Sequence, residues 1–415
     1  MGNHVTEYEA GLVTIEGQRL WKWHGYLARG CLMGLMAFLP FAHITWFISG
    51  ALIGLGLCVV LRWWLERKVS LPSTSINAPL LLFSVWVILS LITATDLTYS
   101  LFQVKNQLFP NLLIFYSVLF FIRNRDDVKM LLPFLYLGLL VMSLYGCFEF
   151  WQKNGNLLTR SVRIGSLTSD YIYLSTYLLL AIPMAFLGLL LPGRGFVKGT
   201  MILLFFLSLV CMFLTFTRIA WAALVLQFLF YGLVRNRVVF GIGLGMIVLV
   251  GLLSLFSPLI RQAVMTYGEV KPDEKVEGFE RRVEVWKFAI QEMVRHPLTG
   301  IGYGRDTIRK VYDGNRIIDR DWWHTFNSFL DLGVEIGAPG LLLFLWVLYS
   351  LWRVLWEGMK QGDSYDSLFC MALLMIMVGY FVRNQVDHVY VNFPAQLFWL
   401  FMGLGVKLRL LQQTS

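Results

Sequence analysis

Apolar residues form long runs along this chain, and polar residues collect in the short segments between them. About 20 apolar residues cross a bilayer as one helix, so the pattern predicts an all-α polytopic membrane protein with about twelve transmembrane helices. The predicted spans lie near residues 26–42, 45–63, 78–95, 109–123, 128–149, 171–191, 199–216, 218–234, 238–257, 336–356, 367–384 and 389–407.

The longest apolar run, Met201 to Val234, exceeds the length of one span and has basic residues on both flanks. Because basic residues favour the cytoplasmic side, we predict two helices whose connecting turn, Thr215 to Arg218, lies at the outer face. A guanidinium in an apolar run is costly, and no acidic residue nearby in sequence neutralises Arg218. We therefore predict that Arg218 faces a cavity, a partner or a substrate.

The same rule orients the other spans. Each short loop on the predicted inner side is basic, whereas the long outer segment 257–323 has nearly balanced charge. With 57% hydrophobic residues and a mean hydropathy of +0.64, the net charge of +9 reflects membrane topology and gives no indication of nucleic-acid binding. The predicted organisation is spans one to nine in 1–257, a large outer loop in 258–335, and the last spans with a short inner tail in 336–415.

The polar start of the chain, residues 1–25, lacks a signal-peptide pattern, so we expect the chain to stay whole in the membrane. All five cysteines fall within predicted spans, which gives no indication of a disulfide or a thiolate metal site. The chain has no His-x-x-x-His motif either. We therefore expect neither a metal ion nor another cofactor.

The large outer loop carries two candidate residues. Glu280 to Arg295 has the apolar spacing of an amphipathic helix, and Arg282 shares the apolar face of Trp286, where an arginine either snorkels or meets a ligand. The glycine-rich segment His296 to Gly304 predicts a tight turn that returns the chain to the membrane. His324 follows two tryptophans of the kind found at the bilayer interface, which places His324 at the outer face.

Two arginines and a histidine on one face suit a specific chemistry. Arginines hold a pyrophosphate through paired hydrogen bonds, and a histidine deprotonates an attacking hydroxyl. The arginines then take the place of a divalent ion in neutralising charge.

Further polar residues stand at the predicted outer ends of spans. Asp387 and Asp170 are candidates for orienting an acceptor or an arginine, and Arg163 and Lys105 are candidates for contacting a glycan or phosphate. The simpler interpretation of each is a solvated loop residue. Arg383 is placed to pair with Asp387 at the close of the span near 367–384.

Four motifs resemble the O-antigen ligase and O-antigen polymerase superfamily of bacterial envelope glycosyltransferases. They are Ser100 to Asn111; Arg163 to Leu167 leading into Tyr171 to Pro183; Thr217 to Trp221; and Arg282 to Trp286 followed by His296 to Gly304, Asn327 and Gly337. Their order, spacing and topology together make the resemblance specific.

The resemblance implies a GT-C-type fold in the bacterial inner membrane, with the active site facing the periplasm. It implies metal-independent, inverting transfer of a glycan from undecaprenyl pyrophosphate, whose pyrophosphate is bound by arginines that correspond to Arg218 and Arg282. A histidine near the end of the loop acts as base or orients the acceptor. In the family that histidine directly precedes the asparagine, but here Phe326 precedes Asn327, and His324 is assigned in its place.

The leading prediction is an O-antigen ligase that transfers the glycan to lipid A-core, with the donor, the acceptor and membrane lipids as partners. An O-antigen polymerase would use the same donor and extend another lipid-linked glycan. A transferase that modifies Ser or Thr in secreted proteins and a multispanning transporter are further alternatives. The inner loops are short and leave no domain for a nucleotide sugar.

Overall fold

The computed structural model describes residues 15–67, 71–156, 162–168, 170–193, 195–241, 243–245, 272–312 and 324–414. Every regular element in these residues is helical. The helices are α1 (Ile15–Phe38), α2 (Thr45–Glu66), α3 (Asn77–Ser90), α4 (Leu97–Gln103), α5 (Phe109–Phe121), α6 (Arg125–Gln152), α7 (Tyr171–Leu190), α8 (Gly195–Leu214), α9 (Arg218–Arg235), α10 (Pro272–Arg295), α11 (Thr307–Tyr312), α12 (Ser328–Gln361), α13 (Ser364–Arg383) and α14 (Asn392–Thr414).

The all-helical prediction is confirmed for the described residues. Seven helices, α2, α6, α7, α8, α9, α12 and α13, are long and apolar enough to cross a membrane. The protein is therefore a polytopic helical membrane protein. The total of about twelve spans stays a prediction, since most of the span near 238–257 lies outside the described residues, as do the interfacial tryptophans Trp322 and Trp323.

One predicted span has a different local structure. The span near 109–123 is a helix of 13 residues, α5. The π-helical turn Val104–Leu108 joins this helix to α4, so the helical path begins about three turns earlier than the apolar run does. Polar residues in the turn obscured this extension from the sequence.

The break in the longest apolar run is confirmed. Helix α8 ends at Leu214 and α9 begins at Arg218, with Phe216 in a left-handed conformation between them. The indole of Trp221 donates to the carbonyl of Met212 at 3.0 Å, which ties the two helices together across the turn. Arg218 is therefore the first helical residue of α9, and its side chain is exposed at the protein surface.

Helices α7 and α13 form the centre of the bundle. Each has runs of consecutive buried residues, such as 178–182 and 369–376, which is typical of a helix covered on all sides. Helix α9 packs antiparallel to α13, because Arg235 donates to Ser367 near the start of α13, whereas Gln227 meets Gly379 near its end. The beginning of α9 and the end of α13 therefore lie at the same end of the bundle.

Segments predicted for one side of the membrane meet in the structure. On the predicted inner side, Arg125 forms ion pairs with Asp363 and Asp366, both at 2.8 Å. On the predicted outer side, the N–H of Thr95 donates to the carbonyl of Ile301 at 2.8 Å. This second end, called the outer end below, carries the candidate site.

Candidate functional site

The floor of the site is a break in helix α12 at Gly337, which has φ +73° and ψ 175°. A Cβ at this position would clash with the carbonyl oxygen of Leu298, so the close approach of the glycine-rich turn requires glycine. The indole of Trp86 donates to the carbonyl of Ile336 at 2.9 Å and satisfies one group freed by the break.

The glycine-rich turn packs against this broken helix, as expected for a turn that returns the chain to the membrane. The N–H groups of Ile301 and Gly302 donate to carbonyls of α12 at 3.0 Å, and the N–H of Gly304 donates to the Glu335 carboxylate at 3.0 Å. Three backbone donors of the turn are thus used within the protein, so the turn serves to position neighbouring side chains.

A stripe of polar side chains runs along the first two turns of α12, at Asn327, Asp331 and Glu335. The Asn327 oxygen accepts the N–H groups of Phe329 at 3.0 Å and Leu330 at 3.1 Å and so caps the helix. Asp331 and Glu335 are buried. Asn327 therefore has a clear structural role, and its contact with substrate stays a prediction.

His324 lies immediately before this helix and is only 5% exposed. Its Nδ1 accepts the backbone N–H of Phe326 at 2.9 Å. The indole of Trp286 on α10 donates to the carbonyl of Thr325 at 2.6 Å and fixes the segment. Burial lowers the pKa of His324 well below its ordinary value, and the positive charges of Arg305 and Arg282 add to the effect. His324 is therefore neutral.

The Phe326 ring lies against both Arg282 and His324. The Arg282 guanidinium is 4.7 Å from the ring centroid, and the His324 ring is 4.3 Å from the same centroid. Burial lowers the pKa of Arg282, and the negative charge of Asp387 partly opposes this shift. The structure thus brings the predicted arginine and histidine together, around the phenylalanine that stands at the family's histidine position.

The amphipathic helix of the loop is confirmed, but its buried face differs from the predicted one. Val285 and Ala289 are buried, whereas Ile290 is 53% exposed. The buried face is therefore rotated relative to the predicted one and includes Glu292. The Glu292 carboxylate accepts a hydrogen bond from Arg295 at 2.6 Å. Arg282 still lies on the covered side of the helix.

A third arginine, Arg305, lies beside His324. Its Nη2 is 2.7 Å from His324 Nε2, and its Nε is buried with no hydrogen-bond partner. Within the described part of the chain, neither Arg282 nor Arg305 forms an ion pair with a carboxylate. Two guanidinium charges therefore lie near the same neutral imidazole. A positive potential of this kind is typical of an anion-binding site.

The predicted ion pair between Arg383 and Asp387 is confirmed, with Nη2 and Oδ2 3.0 Å apart. Arg383 is 1% exposed. Arg383 is thus a buried arginine at the same end of the bundle as Arg218, whose predicted role stays a prediction. Asp387 is placed to fix Arg383 directly and to attract the nearby Arg282.

A second imidazole follows Asp387 in the chain. The Nδ1 of His388 contacts the Asp331 carboxylate, and the other oxygen of Asp331 accepts the N–H of Thr325 at 2.8 Å. The ring centroids of His388 and His324 are 5.7 Å apart. Asp331 thus joins the two histidine segments.

The remaining predicted residues lie around this centre. Arg163 is exposed and stacks on Tyr171 at 4.8 Å, and Asp170 caps α7 by accepting the N–H of Ile172 at 2.7 Å. Lys105 is exposed in the π-helical turn. Arg218 lies at the outer end through the packing of α9 on α13. Their contacts with substrate stay predictions.

The donor atoms of His324, Asp331 and His388 lie within 4.8 Å of one another, which makes them a group that could hold a metal ion. They fit a cation poorly, because Arg305 lies 2.7 Å from His324 Nε2 and His388 already contacts Asp331. The sequence also contains a carboxylate pair, Asp319-x-Asp321, which the expectation of no metal overlooked. That pair lies outside the described residues.

Arg305, Asp331 and His388 were missed from the sequence. One signal for Asp331 was available, since Asn327, Asp331 and Glu335 recur every four residues at the start of an apolar helix and must share one face. His388 and Arg305 have no comparable pattern, because only the tertiary contacts bring them to His324.

The fold and site together define a polytopic helical membrane protein with an arginine-rich site at the outer end of its bundle. A family model described as O-antigen ligase matches residues 203–345, which includes Arg218, Arg282 and His324. The resemblance inferred from the motifs is confirmed by this match. The chain is also similar to a Rickettsia felis (strain ATCC VR-1525 / URRWXCal2) protein named "Putative polysaccharide ligase", at 24% identity over 132 residues. That alignment spans 30% of this chain and 30% of the relative.

Proposed function

We propose that this protein is a GT-C-type glycosyltransferase of the bacterial inner membrane, with about twelve spans and its active site on the periplasmic face. It transfers a preassembled glycan from undecaprenyl pyrophosphate to lipid A-core, as an O-antigen ligase does. The observation that carries the proposal is the pair of guanidiniums, Arg282 and Arg305, which flank His324 and lack carboxylate partners among the described residues.

This charge arrangement suits a pyrophosphate leaving group. In an inverting transfer, the acceptor oxygen bonds to the anomeric carbon while the bond from that carbon to the pyrophosphate oxygen breaks. The electron pair stays with the pyrophosphate, and the acceptor proton passes to an imidazole of the site, for which the sequence predicts His324. Arginine donors stabilise the developing charge and make a divalent ion unnecessary. Arg218 supplies a further donor for the same group.

An apolar groove supports a lipid-linked donor. The groove lies between α12 and α13, has a volume of about 340 Å³, and is lined further from the outer end by Leu348, Trp352 and Met377. It shares Phe329 and Asn384 with the cavity next to the site. An isoprenoid chain whose pyrophosphate lies at the arginines would continue into this groove, whereas a soluble nucleotide sugar has no apolar portion to place there.

The proposal is tested by reconstituted transfer with purified protein and a glycan on undecaprenyl pyrophosphate, with lipid A-core present or absent. Glycan attached to lipid A-core only when this acceptor is supplied supports the ligase. A ladder of longer lipid-linked glycans without it would indicate an O-antigen polymerase. Donor consumed only with a protein acceptor would indicate a protein transferase, and no product under any condition would contradict the proposal.

A further inference from the structure

Both ring nitrogens of His324 face N–H groups. Nδ1 accepts the Phe326 N–H at 2.9 Å, and Nε2 lies 2.7 Å from Arg305 Nη2. A neutral imidazole has one acceptor nitrogen and one N–H. Because the Phe326 N–H belongs to the backbone, Nδ1 is the acceptor and the hydrogen resides on Nε2. His324 therefore has no open lone pair with which to take a proton from a hydroxyl.

The Arg305 Nη2–H is directed at His324 Nε2, so with the ring hydrogen on Nε2 two N–H groups meet at 2.7 Å. Two donors at this distance repel unless an acceptor lies against both. The unpartnered Nε of Arg305 adds a third unsatisfied N–H at this place. An oxygen of a pyrophosphate accepts hydrogen bonds from several N–H groups at once, so this pair of side chains suits the leaving group better than the acceptor.

His388 has the opposite arrangement. Its Nδ1 contacts the Asp331 carboxylate, which has no hydrogen to give, so Nδ1 carries the hydrogen and Nε2 has the lone pair. A carboxylate that fixes the tautomer of a histidine in this way produces a general base. His388 also lines a cavity of about 50 Å³, which has room for on the order of a few water molecules or a hydroxyl group.

We propose that His388, positioned by Asp331, is the general base of the transfer, and that His324 and Arg305 bind the departing pyrophosphate. This assignment rests on the proposed function. The acceptor hydroxyl gives its proton to His388 Nε2 as its oxygen bonds to the anomeric carbon. The pyrophosphate oxygen leaves with the bonding electron pair toward His324 Nε2–H and Arg305. The 5.7 Å between the two ring centroids keeps the attacking and leaving sides apart.

The test compares His388→Gln, His324→Gln and the matched control His296→Gln, a half-exposed histidine of the same outer loop. We expect His388→Gln to reduce kcat by about 100-fold or more, which is the usual contribution of a general base, with the KM of the donor unchanged. His324→Gln should raise the KM of the donor by about tenfold, since the flexible amide holds its N–H less rigidly than the imidazole and weakens one hydrogen bond to a charged group. The control should match the wild type.

Asp331→Asn separates positioning from structure. The asparagine keeps an oxygen for the Thr325 N–H, but its amide donates to His388 Nδ1 and moves the ring hydrogen to Nε2. We expect kcat to fall by about 100-fold or more without a change in donor KM, and the acidic limb of the pH–rate profile to be lost. The groups that face His388 and shape this profile are Asp331, His324 and Glu335. If thermal unfolding shows that Asp331→Asn is misfolded, the kcat of His388→Gln alone tests whether His388 is the general base.

Inorganic pyrophosphate provides a measurement independent of turnover. Its inhibition constant should rise by about tenfold in His324→Gln and in Arg305→Ala and stay unchanged in His388→Gln. A loss of kcat in His324→Gln together with normal kcat in His388→Gln would overturn the base assignment. Wild-type protein without transfer to any acceptor would instead reject the proposed function, so the two failures are distinguishable.

Discussion

Replacing Arg282 by alanine is expected to reduce kcat/KM by about 100-fold while the protein still folds, because a preorganised donor to a developing anion contributes on this scale. The guanidinium is half-buried and lies 4.7 Å from the Phe326 ring centroid. At a separation of about 4 Å, a unit charge interacts with an anion by roughly 4 kcal/mol near a protein surface. Burial already lowers the pKa of Arg282, so ligand binding desolvates the guanidinium little further.

The loss of folding stability should be small by comparison. The contact of Arg282 with Phe326 is the main one that the structure gives it, and such a cation–π contact contributes on the order of 1 kcal/mol. The variant should therefore retain the unfolding temperature of the wild type within a few degrees. Arg282→Lys should fall between the two proteins in activity, because it keeps the charge and loses the paired hydrogen bonds.

The assay is the initial rate of transfer from undecaprenyl-pyrophosphate glycan in proteoliposomes, with donor concentration varied. Lys287→Ala is the matched control, since Lys287 is exposed on the same helix, α10, and its removal should change the rate by no more than about threefold. A rate of Arg282→Ala within that same range, or a lower rate that follows only from a lower unfolding temperature, would contradict the proposed contact of Arg282 with the leaving group.

Four further outcomes are expected. The pKa of His324 in the folded protein lies below its ordinary 6.5, so below about pH 6.5 the unfolded chain binds more protons than the folded protein and the folding stability falls. In His324→Gln the unfolding temperature should fall less steeply with decreasing pH than in the wild type. Asp387→Asn should lower unfolding free energy by roughly 3 kcal/mol by leaving Arg383 buried without its partner, and a near-normal value would show that the pair is dispensable. Leu348→Trp should raise the KM of a long-chain isoprenoid donor and spare a short-chain one, whereas equal effects would remove the groove from the site. Transfer should persist in excess EDTA, and its arrest by chelation would show that a metal is needed.

Some of the site could be predicted because the signal is local in the chain. The turn before Arg218 follows from the length of the apolar run and its basic flanks. The pairing of Arg383 with Asp387 follows from their closeness in the chain, because Asp387 lies in the turn that directly follows α13. The glycine-rich turn follows from residue types that accept a left-handed backbone, and Gly300, Gly302 and Gly304 all have positive φ.

Other predictions failed where packing decides the outcome. The spacing of α10 predicted Ile290 on the buried face, but Glu292 is buried and Ile290 is exposed. The apolar run near 109–123 predicted a span that begins at residue 109, but the helical path already starts in α4. In both cases the residue types indicated that a helix forms, and packing against neighbouring elements fixed the rotation or the end of that helix.

The sequence by itself determined the helical class of this protein, the positions of most helices and the presence of Arg282 and His324 in one polar segment between apolar runs. Hydrophobic length and spacing are properties of one segment, and the bilayer requires each segment to satisfy its own backbone hydrogen bonds. Only the tertiary structure joined Asp331 to His388, which are 57 residues apart, and placed Arg305 against His324. The contact with Asp331 fixes the tautomer of His388, because a tautomer depends on the partner of each nitrogen rather than on the residue itself.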